Sequence, residues 1–339
     1  MSSPLLTPEF RTPYAAAALR PEISVEIARA YETEQPLWGW LNRKGCVKTN
    51  VSGKVVQKQY KTAETSDFKT TAPWTVLERS LLTSLVQAEW DYGAFSAQTM
   101  FEGMEMSYLQ NSGNGTVRTA AQLVAANLNN LKVDIFKRFG PQLWSGDGTA
   151  VSNGTGPGIL GLLQAIVAAN TTGTYAGLSR ATYSFWRPQY QAATSGLTGD
   201  PYTDARYLYR KMRWDCTRKN PFGRSSPDGL FCDRDAITFA QEALEASQTN
   251  VNVMDAGKTM SAMGLEFMMD EDLSSGQNVM LNSSTIVVET PNSTVFEFFE
   301  SKGTDPNIHP RTTFHSVWAQ VRARVLYPRC NGLMDGMTA

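Results

Sequence analysis

The sequence predicts an α+β protein, with helices and strands in separate stretches of the chain. Three observations favour this class. Apolar residues recur every three or four positions across residues 116–144, which is the spacing of one helix face. Residues 46–75 are rich in lysine, threonine and valine, as expected for a long and largely solvated strand pair. Apolar and polar residues alternate in residues 259–289 and 312–328, which predicts further strands.

The long helix is the element around which we expect the fold to be organised. Its apolar face is formed by residues in steps of three and four: Val117, Ala121, Val124, Leu128, Leu131 and Ile135. Thr116 follows a Gly-Asn-Gly break and can accept the first backbone N–H groups as a cap. We expect the helix to end at Gly140 and Pro141, because proline cannot continue the hydrogen-bond ladder. A helix of roughly 36–40 Å then needs a sheet or other helices over its apolar stripe.

The N-terminal part predicts an arm followed by a hairpin. Four prolines lie within the first 22 residues, which excludes one regular element there and favours an extended arm or tail. Residues 23–31 predict a short helix. Residues 54–61 and 70–76 have strand character, with the polar tip TAETSDF between them. Because an isolated hairpin is only marginally stable, we expect this one to lie on another surface.

The rest of the chain predicts a mixture of strands and helices. Residues 81–108 are dense in β-branched and aromatic positions, which is typical of strand. After a glycine run, residues 159–169 predict an apolar helix. Residues 203–216 and 232–248 predict charged helices.

The bulk composition limits the function classes. The chain has 339 residues, of which 42% are hydrophobic and 19% charged, so it can bury a core. Its net charge is −1, whereas proteins whose main task is to grip nucleic acid carry a clear basic excess. No run of 18 apolar residues occurs, and we expect no membrane span and no secretion signal. Four cysteines without C-x-x-C spacing suit free thiols in a reducing compartment.

A glycine string raises one enzymatic alternative. Gly156, Gly158 and Gly161 match G-x-G-x-x-G before a predicted helix. A dinucleotide site needs a buried strand before the string and an acidic residue about 20 positions later. Turn residues precede it here, and no carboxylate lies between Gly161 and Asp200. A nucleotide-dependent α/β enzyme is therefore only a remote alternative.

Other chemistry-bearing residues have plainer interpretations. The acidic run 270–272 could chelate a hard cation, but a short acidic run is usually a solvated turn. His309 and His315 have no cysteine or glutamate partner at zinc-ligand spacing. The basic residues within 206–219 favour a solvated or subunit-contacting helix face over a nucleic-acid site. We predict no catalytic residue, no cofactor and no metal ion.

Motifs in residues 143–187 suggest a family. The segments LWSGDGTA, GPGILGLLQAIVAAN and TTGTYAGLSRATYSFWR follow one another. This run resembles the tailed-bacteriophage major capsid proteins of the Hong Kong 97-type shell fold. In that family a long helix ends at a DGT turn, before a second helix and a G-T-x-x-G-x-x-R-x-T-x-x-x-W-R motif. The residues that match this last motif are Gly173, Thr174, Gly177, Arg180, Thr182, Trp186 and Arg187. The strand ending in Leu281-Asn282 and the terminal LYPR are also similar, whereas FMMDED departs from the family's F-x-G-x-P form.

The resemblance implies a Hong Kong 97-like capsid fold with named parts. These are an N-terminal arm (1–45), an E-loop hairpin (46–80), a peripheral domain (81–145) with a spine helix (116–139), an axial domain (146–290), and terminal strands of the peripheral domain (291–339). Such a subunit is a building block and no enzyme. We expect its subunit interface to include Lys54, Lys58, Tyr60, Phe68, Trp74, Arg180, Trp186 and Arg187.

The function implied by the resemblance is that of a major capsid protein. Copies would assemble into the icosahedral head shell around the double-stranded DNA of a tailed phage, after synthesis in the bacterial host cytoplasm. The implied partners are copies of the chain in hexamers and pentamers, scaffolding, portal and decoration proteins, and packaged DNA contacted without sequence specificity, with no membrane. The alternative within the same fold is an encapsulin-type nanocompartment, whose shell holds enzymes and no genome.

Overall fold

The computed structural model describes residues 35–53, 55–61, 85–101, 131, 133–135, 137–149, 157–192, 201–218, 226–234, 236–237, 252–254, 259–262, 264–302 and 313–336. These residues form two compact units. The first contains described residues within Met1–Ser52, Gly93–Ile159 and Val288–Arg322. The second contains those within Gly53–Tyr92, Leu160–Val287 and Ala323–Ala339.

The described elements in chain order mix short helices with many strands. The helices are α1 (Pro36–Arg43), α2 (the helical residues within 131–145), α3 (Leu162–Ala165) and α4 (Pro201–Arg218). The strands are β1 (Val47–Lys48), β2 (Val55–Lys61), β3 (Leu85–Asp91), β4 (Gly93–Phe101), β5 (Thr174–Tyr175), β6 (Leu178–Ser179), β7 (Gln189–Ala192), β8 (Gly229–Cys232), β9 (Asn252–Met254), β10 (Thr259–Ala262), β11 (Leu265–Met269), β12 (Asn278–Leu281), β13 (Ile286–Glu289), β14 (Phe296–Lys302), β15 (Thr313–Val325) and β16 (Gly332–Asp335). Short 3-10 helices cover Ser184–Trp186, Ser283–Thr285 and Pro328–Cys330.

The first unit is built on a five-stranded sheet. Its strand order is β1-β13-β15-β14, and β4 also pairs with β15. The predicted terminal strand is confirmed as β15, which is antiparallel to both β14 and β4. Its alternating sequence puts Val317, Ala319 and Val321 on the buried face, while Trp318 on the opposite face is 44% exposed.

An aromatic core lies against the buried face of this sheet. Phe139 of α2 is at its centre, with ring centroids 4.9 Å from Phe95 of β4 and 5.3 Å from Phe296 of β14. Trp38 of α1 contacts the same ring edge-on at 5.6 Å. The α2 residues therefore bury their apolar face against strands, as the long predicted helix requires.

The end of the long helix differs from the prediction. The chain stays helical through residues 140 and 141 to residue 145, so the expected end of the spine helix at residue 139 is wrong. A proline inside a helix costs about 3 kcal/mol. Phe139, Leu143 and Trp144 are at most 1% exposed, and burial of each such side chain contributes about 1.5–3 kcal/mol, which offsets that cost. Residues 116–130, the predicted first part, lie outside the described residues.

A buried ion pair links two strands of the first unit. Arg322 of β15 donates from Nη2 and Nε to Glu289 Oε2 of β13, at 2.6 and 3.1 Å. The two side chains are 0% and 4% exposed. Removing either residue breaks this buried ion pair, which is strongly destabilising.

The second unit contains a seven-stranded sheet covered by α4. The strand order is β7-β16-β12-β8-β11-β10-β9, and every residue of β8 and β12 is buried. The charged helix predicted at 203–216 is confirmed as α4. Its inner face packs into the sheet core through Leu208, Tyr209, Met212 and Cys216, with the Tyr209 ring 5.6 Å from that of Phe267. The strands predicted within 259–289 are also confirmed.

One helix prediction in this unit needs correction, and a second is tested only at its start, because residues 238–248 lie outside the described residues. The predicted helix at 159–169 is reduced to the four residues of α3, because Gly161 is extended and Ile166 leaves helical geometry. In the segment 232–248, Cys232 ends β8, and helical geometry is described only at residues 234, 236 and 237. The predicted elements at 23–31 and 70–76 lie outside the described residues.

All four cysteines of the chain are buried, and each carries a thiol that is not in a disulfide. Within the described part of the chain, no helix has both the length and the apolar character that crossing a membrane requires.

Candidate assembly site

The described part of the predicted hairpin is a two-stranded stem. Strands β2 and β3 pair antiparallel, from Val55 opposite Asp91 to Lys61 opposite Leu85. The strand character predicted for 54–61 is confirmed by β2. Its described partner is β3, which the sequence placed in the next strand region and not in the hairpin. Residues 62–84 therefore connect the two strands.

An aromatic cluster holds this stem. We define the stem cluster as Tyr60, Trp90, Tyr175, Phe185, Trp186 and Tyr327. The Tyr60 ring of β2 lies 4.9 Å from Trp186 and 5.6 Å from Tyr327, both edge-on. Its hydroxyl donates a hydrogen bond of 2.7 Å to the carbonyl of Leu326. Alternation along β3 buries Ala88 and Trp90 while Glu89 and Asp91 face solvent, so one face of the hairpin supplies the contacts.

Tyr175 satisfies the buried donors of the cluster. Its hydroxyl accepts from Trp90 Nε1 at 3.1 Å and from the Val325 N–H at 2.9 Å, while its backbone carbonyl accepts from Trp186 Nε1 at 3.0 Å. Burial raises the pKa of Tyr175 to about 12, so the phenol remains neutral at physiological pH.

Two cations border the aromatic rings. Lys58 Nζ lies 4.6 Å from the centroid of Tyr327 and 5.5 Å from that of Tyr60. The Arg324 guanidinium lies 5.8 Å from the ring of Trp90. Partial burial, with a smaller contribution from Arg324, lowers the pKa of Lys58. Cation–π contacts of this kind contribute about 0.5–1 kcal/mol at partly exposed sites.

Residues 172–187 form a closed turn held by two arginines. Arg180 is 3% exposed and donates to the carbonyls of Thr172 and Gln164. Arg187 donates from Nε to the Arg180 carbonyl at 2.7 Å and from Nη2 to the Ala181 carbonyl at 2.8 Å. Arginine suits this task because its planar fork carries several donors. Burial lowers the pKa of Arg180.

Two residues with a left-handed backbone conformation form the tip of this turn. Ala176 and Gly177 have φ of 51° and 79° between the paired strands β5 and β6, as in a type I′ hairpin turn. The Ala176 carbonyl accepts from the Glu89 N–H at 3.1 Å, which ties the turn to β3. The motif residues that the sequence singled out thus hold the surface on which the stem rests.

The DGT turn and the glycine string are joined by backbone contacts. Asp147 accepts from the backbone N–H and hydroxyl of Thr149 at 2.8 and 2.5 Å, and these bonds lower the pKa of Asp147. Gly158 donates its N–H to the Gly148 carbonyl, and a Cβ on Gly158 would collide with the Thr149 carbonyl. Glycine at 158 therefore permits close backbone approach, and its N–H is already used and cannot hold a phosphate.

The acidic run lies directly after β11 and crowds its charges. Burial, followed by repulsion from Asp270 and Glu271, raises the pKa of Asp272 to about 6. Among the described residues, no group of three or more histidine, cysteine, aspartate or glutamate side chains has the arrangement of a metal site.

Comparisons with known proteins decide what kind of fold this is. No protein-family model and no curated protein matches the chain. Among solved structures, the capsid asymmetric unit of cyanophage A-1(L) matches with a TM-score of 0.64 and 16% identity, over 89% of this chain and 92% of that chain. The capsid of a native GTA particle matches at 0.51 and 11%, over 87% and 89%. The chain has the fold of phage capsid shell proteins.

A shell of another kind also matches this fold. The holo-SrpI encapsulin complex of Synechococcus elongatus matches with a TM-score of 0.50 and 11% identity, over 87% of this chain and 86% of that chain. The resemblance found in the motifs of residues 143–187 is thus confirmed at the level of the fold.

The capsid fold brings together part of the predicted interface set. Lys58, Tyr60 and Trp186 meet at the stem cluster, and Arg180 and Arg187 hold the turn beneath it. Lys54, Phe68 and Trp74 lie outside the described residues. Tyr60 and Trp186 are 5% and 0% exposed, so both pack within the subunit itself, and a role between subunits stays a prediction.

Sequence reasoning missed four members of the stem cluster, one of which, Phe185, directly precedes the predicted Trp186. Trp90, Tyr175 and Tyr327 come from separate parts of the chain, and nothing in the sequence states that they meet. The alternation of Val86, Ala88 and Trp90 does signal one packed strand face and could have identified Trp90.

Proposed function

We propose that the chain is the major capsid protein of a tailed phage. Copies of it assemble into the icosahedral head shell that encloses a double-stranded DNA genome. The observation that carries this proposal is the likeness to the cyanophage A-1(L) capsid unit over nearly the full length of both chains. Hexamers and pentamers of the chain, with scaffolding, portal and decoration proteins, are the expected partners, and DNA is contacted without sequence specificity.

The anchored stem supports an assembly role for the hairpin. The stem cluster holds both strands of the described stem, through Tyr60 of β2 and Trp90 of β3, while Val55 and Leu85 are 41% and 49% exposed. The exposed face of this held stem can serve as a surface for another body, and a stable interface of standard size buries about 800 Å² on each partner. In the proposed shell, the E-loop lies on a neighbouring copy and the axial domain gathers at the five- and six-fold axes.

Electron microscopy of the purified full-length chain tests the proposal. We expect closed shells in negative stain, or after co-expression with a scaffolding partner if the chain does not close alone. A chain that remains a monomer at high concentration under both conditions would contradict it.

A loop replacement tests the role of the hairpin. Because Lys61 and Leu85 are directly opposed, Asn-Gly in place of residues 62–84 would close the stem with a two-residue turn. We expect the shortened chain to keep its unfolding midpoint within a few degrees and to lose shell assembly. Normal shells from this variant would contradict the assignment of the hairpin as an E-loop needed for assembly.

An encapsulin-type shell is the second candidate, favoured by the likeness to the encapsulin complex at a TM-score of 0.50. The two are separated by the contents of particles purified from their natural source. Nuclease-protected DNA with a high 260/280 nm absorbance ratio favours the phage shell. A stoichiometric enzyme without DNA favours the nanocompartment.

A further inference from the structure

The outer face of α4 carries an aromatic and basic stripe. We define the α4 outer face as Tyr207, Arg210, Lys211 and Trp214, which recur at helical spacing. Tyr207 is 62% exposed and Trp214 is 66% exposed, and both cations are also exposed. The whole helix has five basic and two acidic residues, so the stripe is positively charged.

The helix beneath this stripe is firmly held. Leu208, Tyr209, Met212 and Cys216 on the opposite face are all 0–2% exposed in the sheet core. The stripe is therefore a pre-formed platform, and a partner would lose little ordering entropy there. Exposed tryptophan, tyrosine and arginine on one rigid face is the composition enriched at protein interfaces.

A surface of opposite charge exists on the same unit. The acidic turn, Asp270 to Asp272, follows the end of β11, and Glu271 is exposed. Burial, followed by repulsion from Asp270 and Glu271, disfavours ionisation of Asp272. Glu271 is exposed and Asp272 is half-buried, so these two side chains give the turn a negatively charged surface.

We propose that the α4 outer face of one copy docks on the acidic turn of the next copy. The proposal rests on the proposed shell function and names two surfaces that would join its subunits. Two outer faces in a two-fold contact would place cations against cations, which costs free energy. A basic face against an acidic turn is instead a head-to-tail contact, and repeated head-to-tail contacts close into rings.

A charge-reversal series on the full-length chain tests this docking. Arg210→Glu with Lys211→Glu is expected to lower the assembled fraction about tenfold, measured by sedimentation velocity. Glu271→Lys with Asp272→Asn should lower it similarly. Combining all four changes restores attraction and should recover most of the assembly. The matched control is Lys48→Glu with Lys137→Glu, which changes the charge equally at exposed positions of the other unit and should leave this contact intact.

A cysteine pair tests the direct contact. Because the native cysteines are all buried, Lys211→Cys with Glu271→Cys introduces the exposed thiols. Mild oxidation should give a ladder of disulfide-linked copies on a non-reducing gel, and either single variant should give no ladder beyond a dimer. A crosslink confined to single chains would overturn the proposal, because the two surfaces would then meet within one subunit.

The outcomes separate this inference from the function on which it rests. Normal shells from the double variant Arg210→Glu with Lys211→Glu would overturn the docking and leave the shell function intact. A folded variant with all four changes that fails to recover assembly also overturns it, because the partner of α4 is then not the acidic turn. Absence of shells from the unchanged chain under every condition tested removes the shell function itself.

Discussion

Two tryptophans of the second unit, Trp186 and Trp214, differ in burial. Trp186 is fully buried, with its indole N–H bonded to Tyr175 and aromatic rings around it. Trp214 is 66% exposed on the α4 outer face. Each has an arginine nearby in sequence, Arg187 or Arg210, so local composition does not distinguish them. The difference separates two tasks: the stem cluster stabilises the subunit, and the α4 outer face is left for a partner.

The largest expected effect comes from opening the stem cluster. Trp186→Ala should lower the free energy of unfolding by about 3–5 kcal/mol, because it removes a buried aromatic side chain and leaves a cavity. Urea unfolding of dissociated subunits measures it. The matched control is Trp318→Ala at the 44% exposed position on β15, which should cost far less. Equal losses at the two sites would mean that the stem cluster adds no stability of its own.

A smaller effect is expected when only one bond of the cluster is removed. Tyr60→Phe keeps the ring but leaves the Leu326 carbonyl without this donor, which should cost about 1–2 kcal/mol. Hydrogen exchange should speed up in β2 and β3 ahead of the rest of the unit. Tyr207→Phe, on a side chain that is 62% exposed, serves as the control and should leave both readouts unchanged.

The acidic turn should make the stability of the dissociated subunit depend on pH. The folded-state pKa of Asp272 is raised to about 6, above its usual 3.8, so the folded subunit binds this proton more tightly. Stability of the dissociated subunit should therefore fall as pH rises from 4 to 6. Asp272→Asn should remove that slope and add about 1 kcal/mol at pH 7, after allowance for solvent screening. A wild-type profile that rises over this range would contradict the assignment.

The smallest effect on subunit stability is expected at Trp214. Trp214→Ala should change the free energy of unfolding by less than about 0.5 kcal/mol, because the side chain is mostly solvated. The same variant should nevertheless reduce the assembled fraction in sedimentation. A large loss of stability without any change in assembly would mean that Trp214 stabilises the subunit as Trp186 does. The proposed difference between the two residues would then be wrong.

Local periodicity predicted the elements whose faces differ in polarity. Helix α4 and strand β15 were both predicted from sequence, since one face of each is buried and the other is solvated. The apolar segment 159–169 failed, because uniform hydrophobicity signals burial without specifying a period. Ile159, Leu162 and Ile166 are indeed buried, but only four residues of the segment are helical.

The features that could not be predicted from the sequence depend on packing between residues that are distant in the chain. Pro141 was expected to end the long helix, and the buried side chains of Phe139 and Trp144 keep it helical beyond that point. The motif residues Arg180, Trp186 and Arg187 were identified by resemblance, but their hydrogen bonds to carbonyls of the same turn depend on the folded backbone. The α4 outer face was visible in sequence only as a basic run.

The buried cysteines have a consequence for the lifetime of a particle. Burial raises the pKa of Cys330 to about 11 and that of Cys232 well above its usual value, so both thiols stay protonated and slow to oxidise. Copies in the proposed shell would therefore not be joined by chance disulfides through these thiols, and the particle would need no added reductant in storage.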